Sequence, residues 1–221
     1  MSDATERRNR VTLTLVGCAL AACLIGLSGC EARVVAGRAV AGPERLECVE
    51  TSVPLVWLGQ GSPDEPRIGI PTPPGWVPTE YFPGARTRIP APKMGMIRNP
   101  SLQFGGHVPN ALVVVDTFHP DPAVAGDVEQ FALDDMIDDI DRSSEIVKQT
   151  PGRVCGHPSV RVDYVIEGLE STALIVASMA SDRSVWRVRL NFLSHEPHNI
   201  QWLRDTQLMM EALVVDETPA R

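Results

Sequence analysis

The chain lacks every short signature of a chemical step. No G-x-S-x-G elbow presents a serine nucleophile, no glycine-rich loop could cradle a phosphate, and no H-E-x-x-H pair could hold zinc. The chain therefore reads as a non-enzyme with no cofactor. Positive charge is scarce as well: 20 Lys and Arg stand against 28 Asp and Glu, a formal net of −8. That balance argues against nucleic acid as a partner. Cysteine is sparse, with 5 in 221 residues, and two of these, Cys18 and Cys23, sit in one N-terminal apolar run. Internal repeats are absent, and compositional bias is confined to one proline-rich stretch.

What is present begins at the N-terminus. Arg7, Arg8 and Arg10 form a basic start, and Val11 to Leu27 is uncharged and apolar. The run ends in Leu27-Ser28-Gly29-Cys30, which resembles a bacterial lipobox, where a prolipoprotein is diacylated on cysteine and cut just before it. Ser28 and Gly29 leave the backbone before Cys30 open to a peptidase. The expectation is a lipoprotein signal peptide over residues 1–29 and a palmitate-type anchor on Cys30. An uncleaved anchor is the alternative, because the run is long for a signal core and short for a spanning helix. Arg7-Arg8 leaves both the general and the twin-arginine export routes open.

Cleavage changes the arithmetic. Residues 1–29 carry three Arg and two acids, so 17 basic and 26 acidic side chains remain, a net of −9. Charge would not hold such a chain on an anionic envelope, so the lipid must; two or more acyl chains anchor stably where one does so only marginally. The expected place is the outer face of the cell membrane, with the membrane as partner through that anchor. Only Cys48 and Cys155 then remain. A lone pair in an exported compartment points to a disulfide. The alternative is two free thiols, one buried as a small hydrophobe.

Residues 30–52 are small, mixed and aperiodic, a flexible tether. Residues 53–216 form one α+β domain, and 217–221 a C-terminal tail. Val53–Leu58 is a short apolar run, and Arg67–Ile70 alternates like a strand that stops at Pro71. Pro71 to Pro92 contains seven prolines, which excludes a helix or a central strand and predicts an extended wall that does not join a sheet. Ala111–Phe118 is a valine-rich buried strand. Asp127 opens a helix with Gln130 three residues on, and Val128, Phe131, Ala132, Met136 and Ile140 share one face. A meander follows: Ile146–Cys155, broken by Pro151-Gly152; then Val160–Ile166, Ala173–Met179 and Trp186–Phe192. A last helix spans about His198–Leu213, with Ile200, Leu203, Met210 and Leu213 inward. Strands, helix, strands, helix in this order predict an antiparallel sheet covered by helices.

Ile68-Gly69-Ile70-Pro71-Thr72-Pro73-Pro74-Gly75-Trp76 resembles the opening motif of the mycobacterial LpqN/LpqT lipoproteins. Pro109-Asn110-Ala111-Leu112-Val113-Val114-Val115 with the Asp127 helix is similar to the next family block, as are Gly156-His157-Pro158-Ser159 and the tail of strand, turn and helix. The resemblance covers about residues 60–215. It implies a Mog1/PsbP-like α/β/α sandwich, an envelope lipoprotein and, for some members, association with mycolate-containing glycolipids and their export machinery. The family pattern offers no catalytic residues to carry over.

Other clusters favour plain explanations. Pro197 keeps His195 and His198 off a shared helical face, and no third ligand lies nearby, so no metal site is expected. Cys155 and His157 lie near each other in sequence, but a disulfide half beside an exposed histidine accounts for them better than a nucleophilic dyad. Asp134, Asp135, Asp138, Asp139 and Asp141 lack the glycine and spacing of a calcium loop and form a solvated face. Trp76, Tyr81, Phe82 and Phe104 either line the mouth of an apolar groove near the proline wall or are ordinary loop anchors. Two functions follow: a tethered carrier or accessory factor in envelope lipid transport that binds lipid or glycolipid, or a ligand-free interaction protein docking an envelope complex or host receptor.

Overall fold

The computed structural model describes residues 48–58, 65–79, 93–121, 126–180 and 183–217. Cys30, Tyr81, Phe82 and the apolar run Val11–Leu27 lie outside the described residues. In chain order the elements are β1 (Leu55–Leu58), β2 (Arg67–Pro71), β3 (Val77–Pro78), β4 (Lys93–Arg98), a short 3-10 turn (Pro100–Leu102) and β5 (Asn110–Phe118). Then come α1 (Val128–Asp141), β6 (Glu145–Val154), β7 (His157–Ile166), β8 (Leu169–Met179), β9 (Val185–Leu193), α2 (Ile200–Glu211) and β10 (Val214–Asp216).

Two glycine-containing pairs set the meander. Cys155-Gly156 and Glu167-Gly168 all have positive φ, 50° and 87° in the first pair and 51° and 80° in the second. Two residues in the left-handed region close a tight hairpin whose twist matches its strands. Val154 therefore pairs with His157, and Ile166 with Leu169. Seven strands run antiparallel in the order β3-β4-β5-β9-β8-β7-β6, and β1-β2-β10 make a second, three-stranded sheet. The fold is α+β, as the alternating strands predict.

Strand alternation divides the core into two layers. Val160, Val162, Ala173, Ile175, Ala177 and Val185 point to one face and pack on α1. Ala111, Val113, Val115, Leu174, Val176, Val188, Leu190 and Phe192 point to the other, against α2 and the small sheet's Ile68, Ile70 and Val215. Gly95 allows the small sheet to approach β4, since a Cβ there would collide with the Leu58 side chain. Asp127 caps α1, its Oδ1 accepting from the Gln130 N–H at 3.1 Å.

Four expectations are corrected. β6 is not broken at Pro151-Gly152 but runs unbroken, with an irregularity between Ile146 and Lys148. It is the outermost strand, with ladder bonds on one side only, so a residue lacking an N–H is tolerated. Proline also joins sheets at the start of the predicted wall, where Pro71 ends β2 opposite Leu55 and Pro78 pairs with Ile97 in edge strand β3. The last helix begins at Ile200, capped by Asn199, rather than at His198. Strands β4 and β10 are additional to those the alternation predicts.

Candidate functional site: a groove between helix and sheet

α2 carries apolar residues on more than one side, and packing decides which side is core. Trp202, Asp205, Thr206, Met209 and Met210 are buried, whereas Ile200 and Leu203 stand 83% and 51% exposed. The predicted inward set is thus corrected for Ile200 and Leu203 and kept for Met210 and Leu213. The larger aromatic wins the core. Trp202 stacks on Trp76 with ring centroids 5.7 Å apart and meets Phe192 edge-on at 6.2 Å. Asp205 follows it inward because its carboxylate is satisfied there. The Trp76 Nε1–H donates to Oδ2 at 2.7 Å, and the Gln201 amide donates to Oδ1 at 2.6 Å. A buried carboxylate is tolerated only with such partners.

Because α2 is held at Trp202, it leaves part of the sheet uncovered, and a groove of about 370 Å³ opens beside it. Arg161, Asp163, Thr172 and Phe192 form its floor; Trp202, Leu203, Thr206, Gln207 and Met210 form the helix wall; Val147 and Pro197 stand at the rim. A second depression of about 400 Å³ shares Arg161, Gln207 and Met210 and continues past Val49, Val154 and Leu174. The floor holds one polar cluster. Asp163 Oδ1 accepts from Arg161 Nε at 2.9 Å and from the Thr172 hydroxyl at 2.8 Å, while Arg161 Nη1 reaches Gln207 Oε1 at 3.4 Å. Burial pushes the nearby Tyr164 phenol above its ordinary pKa, so it stays neutral. Apolar side chains from Trp202, Leu203, Met210 and Val147 stand beside polar ones from Arg161, Asp163, Glu170, Ser171, Thr172 and His198. This mixed lining suits an amphipathic ligand, and the volume falls within the usual range of small-molecule sites, about 300–1,000 Å³.

Of the predicted mouth, Trp76 and Phe104 do not line this groove, and Tyr81 and Phe82 lie outside the described residues. Trp76 is buried at 4% exposure and lies behind Trp202 as a core anchor. The Pro73-Pro74-Gly75-Trp76 turn delivers it there: the Trp76 N–H donates to Pro73 O at 3.1 Å, and Gly75 takes φ +89°. Phe104 is 53% exposed on a small bridge with His107 and is not among the groove's lining. Sequence reasoning missed Trp202, Arg161 and Asp163.

Cys48 and Cys155 are joined by a disulfide, closing a separation of 107 residues. Cys155 Sγ also accepts from the Val215 N–H at 3.3 Å, which ties the bond to β10. With Cys155 bonded, no thiol exists for a dyad with His157. Instead, His157 Nε2 lies 3.7 Å from Glu217 Oε1, and burial lowers its pKa despite that carboxylate. His195 stacks on His107 at 3.7 Å, and His198 lies 3.7 Å from Glu170. Among the described residues, no group of three or more His, Cys, Asp or Glu is placed to hold a metal ion. Of the α1 aspartates, Asp135 accepts from Arg187 at 2.5 Å, and Arg187 also forks onto Asp116 at 2.8 and 2.9 Å.

No protein-family profile and no curated protein matches the chain in sequence. Among solved structures, the crystal structure of LpqN, involved in cell envelope biogenesis of Mycobacterium tuberculosis, is 15% identical with a TM-score of 0.51. That likeness covers 75% of this chain and 92% of LpqN and establishes a shared fold. A cyanobacterial PsbP from Synechocystis is 12% identical at a TM-score of 0.43, covering 82% and 98% of the two chains.

Proposed function

We propose that the chain is a cell-envelope lipoprotein, anchored through Cys30 on the outer face of the membrane. Its domain acts as a carrier or accessory factor in envelope lipid transport, handing lipid or glycolipid to export machinery, with mycolate-type lipids the candidates implied by the motif resemblance to the LpqN/LpqT lipoproteins. The observation that carries the proposal is the groove beside α2, with apolar surface from Trp202, Leu203 and Met210 on its helix wall and Phe192 in its floor, beside a polar cluster at Arg161, Asp163 and Thr172. An acyl chain fits the apolar surface and a hydroxyl- or amide-bearing head fits the polar cluster. In this reading the domain holds its ligand rather than converting it. Support for an envelope role comes from the fold shared with LpqN, a protein described as involved in envelope biogenesis.

The alternative, a ligand-free docking protein, would find its most accessible backbone at the β6 edge, exposed along most of its length. That edge is blunted by Pro151, the irregularity at Ile146/Lys148, and the charges of Glu145, Lys148 and Arg153. These are the devices by which proteins prevent strand addition. The groove is the better-formed site.

Native mass spectrometry of the chain purified from its own envelope tests the proposal. Co-purifying lipid is expected, and it should be lost in a Leu203→Asp, Val147→Asp double variant, whose changes fall on exposed positions. A ligand-free mass, together with a melting temperature unmoved by saturating long-chain lipid, would favour the docking protein.

A further inference from the structure

We propose that the groove face is the side that rests on the lipid surface, through Ile200, Leu203, Val147 and Val49, with α1 turned away from the membrane. The inference rests on the envelope-lipoprotein proposal and adds an orientation and a contact surface to it.

Three separate features converge on that face. The first is apolar exposure. Val147 and Leu203 stand on opposite sides of the groove at 65% and 51% exposure, Ile200 lies one turn before Leu203 at 83%, and Val49 borders the adjoining depression at 60%. Apolar side chains rimming an apolar groove would enter the headgroup boundary and lose their contact with water. The second is charge. α1 carries Glu129 and five aspartates against no basic residue within its span, and an anionic lipid surface repels it. α2 carries only Arg204 and Glu211 as exposed charges, which cancel. The third is attachment. The disulfide clamps Cys48 to the β6–β7 turn, and the next residue, Val49, lines the depression continuous with the groove. The described domain therefore begins, at Cys48, beside that depression. An anchor at Cys30 keeps that entry point near the bilayer, and the exposed apolar rim then selects the face that meets lipid.

The test uses the full processed chain on phosphatidylcholine–phosphatidylglycerol vesicles. An environment-sensitive nitrobenzoxadiazole dye is placed on Ile200→Cys in one preparation and on Asp138→Cys, on α1, in another. The Ile200 dye should shift to the blue and be quenched by spin-labelled lipid, while the Asp138 dye keeps its aqueous spectrum. Equal spectra, or a shift at Asp138 alone, overturn the orientation. Sedimentation with the vesicles reads the anchor separately: a chain that stays in solution loses both anchor and orientation, and one that sediments with equal spectra loses the orientation alone. Titrating monomeric lysophosphatidylcholine without vesicles reads groove filling, so carriage of lipid stands or falls independently.

Discussion

The two helices are near equals in length and opposite in what they do. α1 buries six aliphatic residues, Val128, Ala132, Leu133, Met136, Ile137 and Ile140, and packs over β6, β7, β8 and β9. Its face of the sheet holds a continuous apolar cluster. α2 buries a tryptophan, an aspartate and a threonine along with its methionines, and leaves Ile200 and Leu203 outside. An aliphatic stripe lets a helix settle wherever the sheet is most apolar. A buried carboxylate has partners in one place only, so Asp205 and Trp202 fix α2 against Trp76 and Phe192. The groove is the area left uncovered by that fixed position. Amphipathicity alone thus says which face of a helix is apolar, not how completely it closes a core.

The contrast can be broken most sharply at its hinge. Trp202→Ala should cost about 3–5 kcal/mol, since it empties a buried site between two aromatic rings and frees α2 from its offset. Chemical denaturation checks this, and a loss under about 1 kcal/mol would mean that α2 is held elsewhere. Next in size is the disulfide. Cys48→Ser should lower stability by about 2–5 kcal/mol, because the bond closes a loop of roughly a hundred residues. Equal melting temperatures with and without reductant would show that the bond adds nothing to the folded state.

A paired substitution sharpens the comparison further. Leu133→Ala on α1 should cost about 2–4 kcal/mol, and Leu203→Ala on α2 about 0.5 kcal/mol or less, although both are leucines on amphipathic helices. Leu133 is 1% exposed and Leu203 51%. Similar losses would contradict the offset placement of α2.

Much of this was legible in sequence where local chemistry decided the outcome. Asp127 and Gln130 start α1, valines mark β5, and strict alternation marks β7 and β9. What escaped depends on partners distant in the chain. The Trp76–Asp205 bond spans 129 residues, so nothing near α2 reveals that an aspartate belongs inside and Leu203 outside. β10 is only three residues long and exists by pairing with β2. β4 carries Gly95 where alternation would want a side chain, because β1 packs there. The position and lining of the groove escaped for the same reason: its floor is on β7, β8 and β9, and its wall is set by a contact with Trp76.

The smallest effect separates the two sides by their titration. His157 opens β7 beside Glu217, and burial depresses its pKa below 6.5 while the carboxylate only partly restores it. The folded chain therefore takes this proton less readily than the unfolded chain. Its contribution to stability is fully present above pH 6.5 and is lost as pH falls from there toward the lowered folded value. Glu129, in the first turn of α1, has the opposite sign: burial raises its pKa above 4.5, although the Met179 N–H hydrogen bond opposes the rise. The penalty for its charge is present above the raised value and is relieved as pH falls toward 4.5. Melting temperature should therefore begin to drop just below pH 6.5 and fall less steeply as pH approaches 4.5. His157→Gln should remove the first part of the drop, and Glu129→Gln should remove the later relief. A His157→Gln profile that keeps the wild-type slope below pH 6.5 would assign the acid sensitivity to other groups.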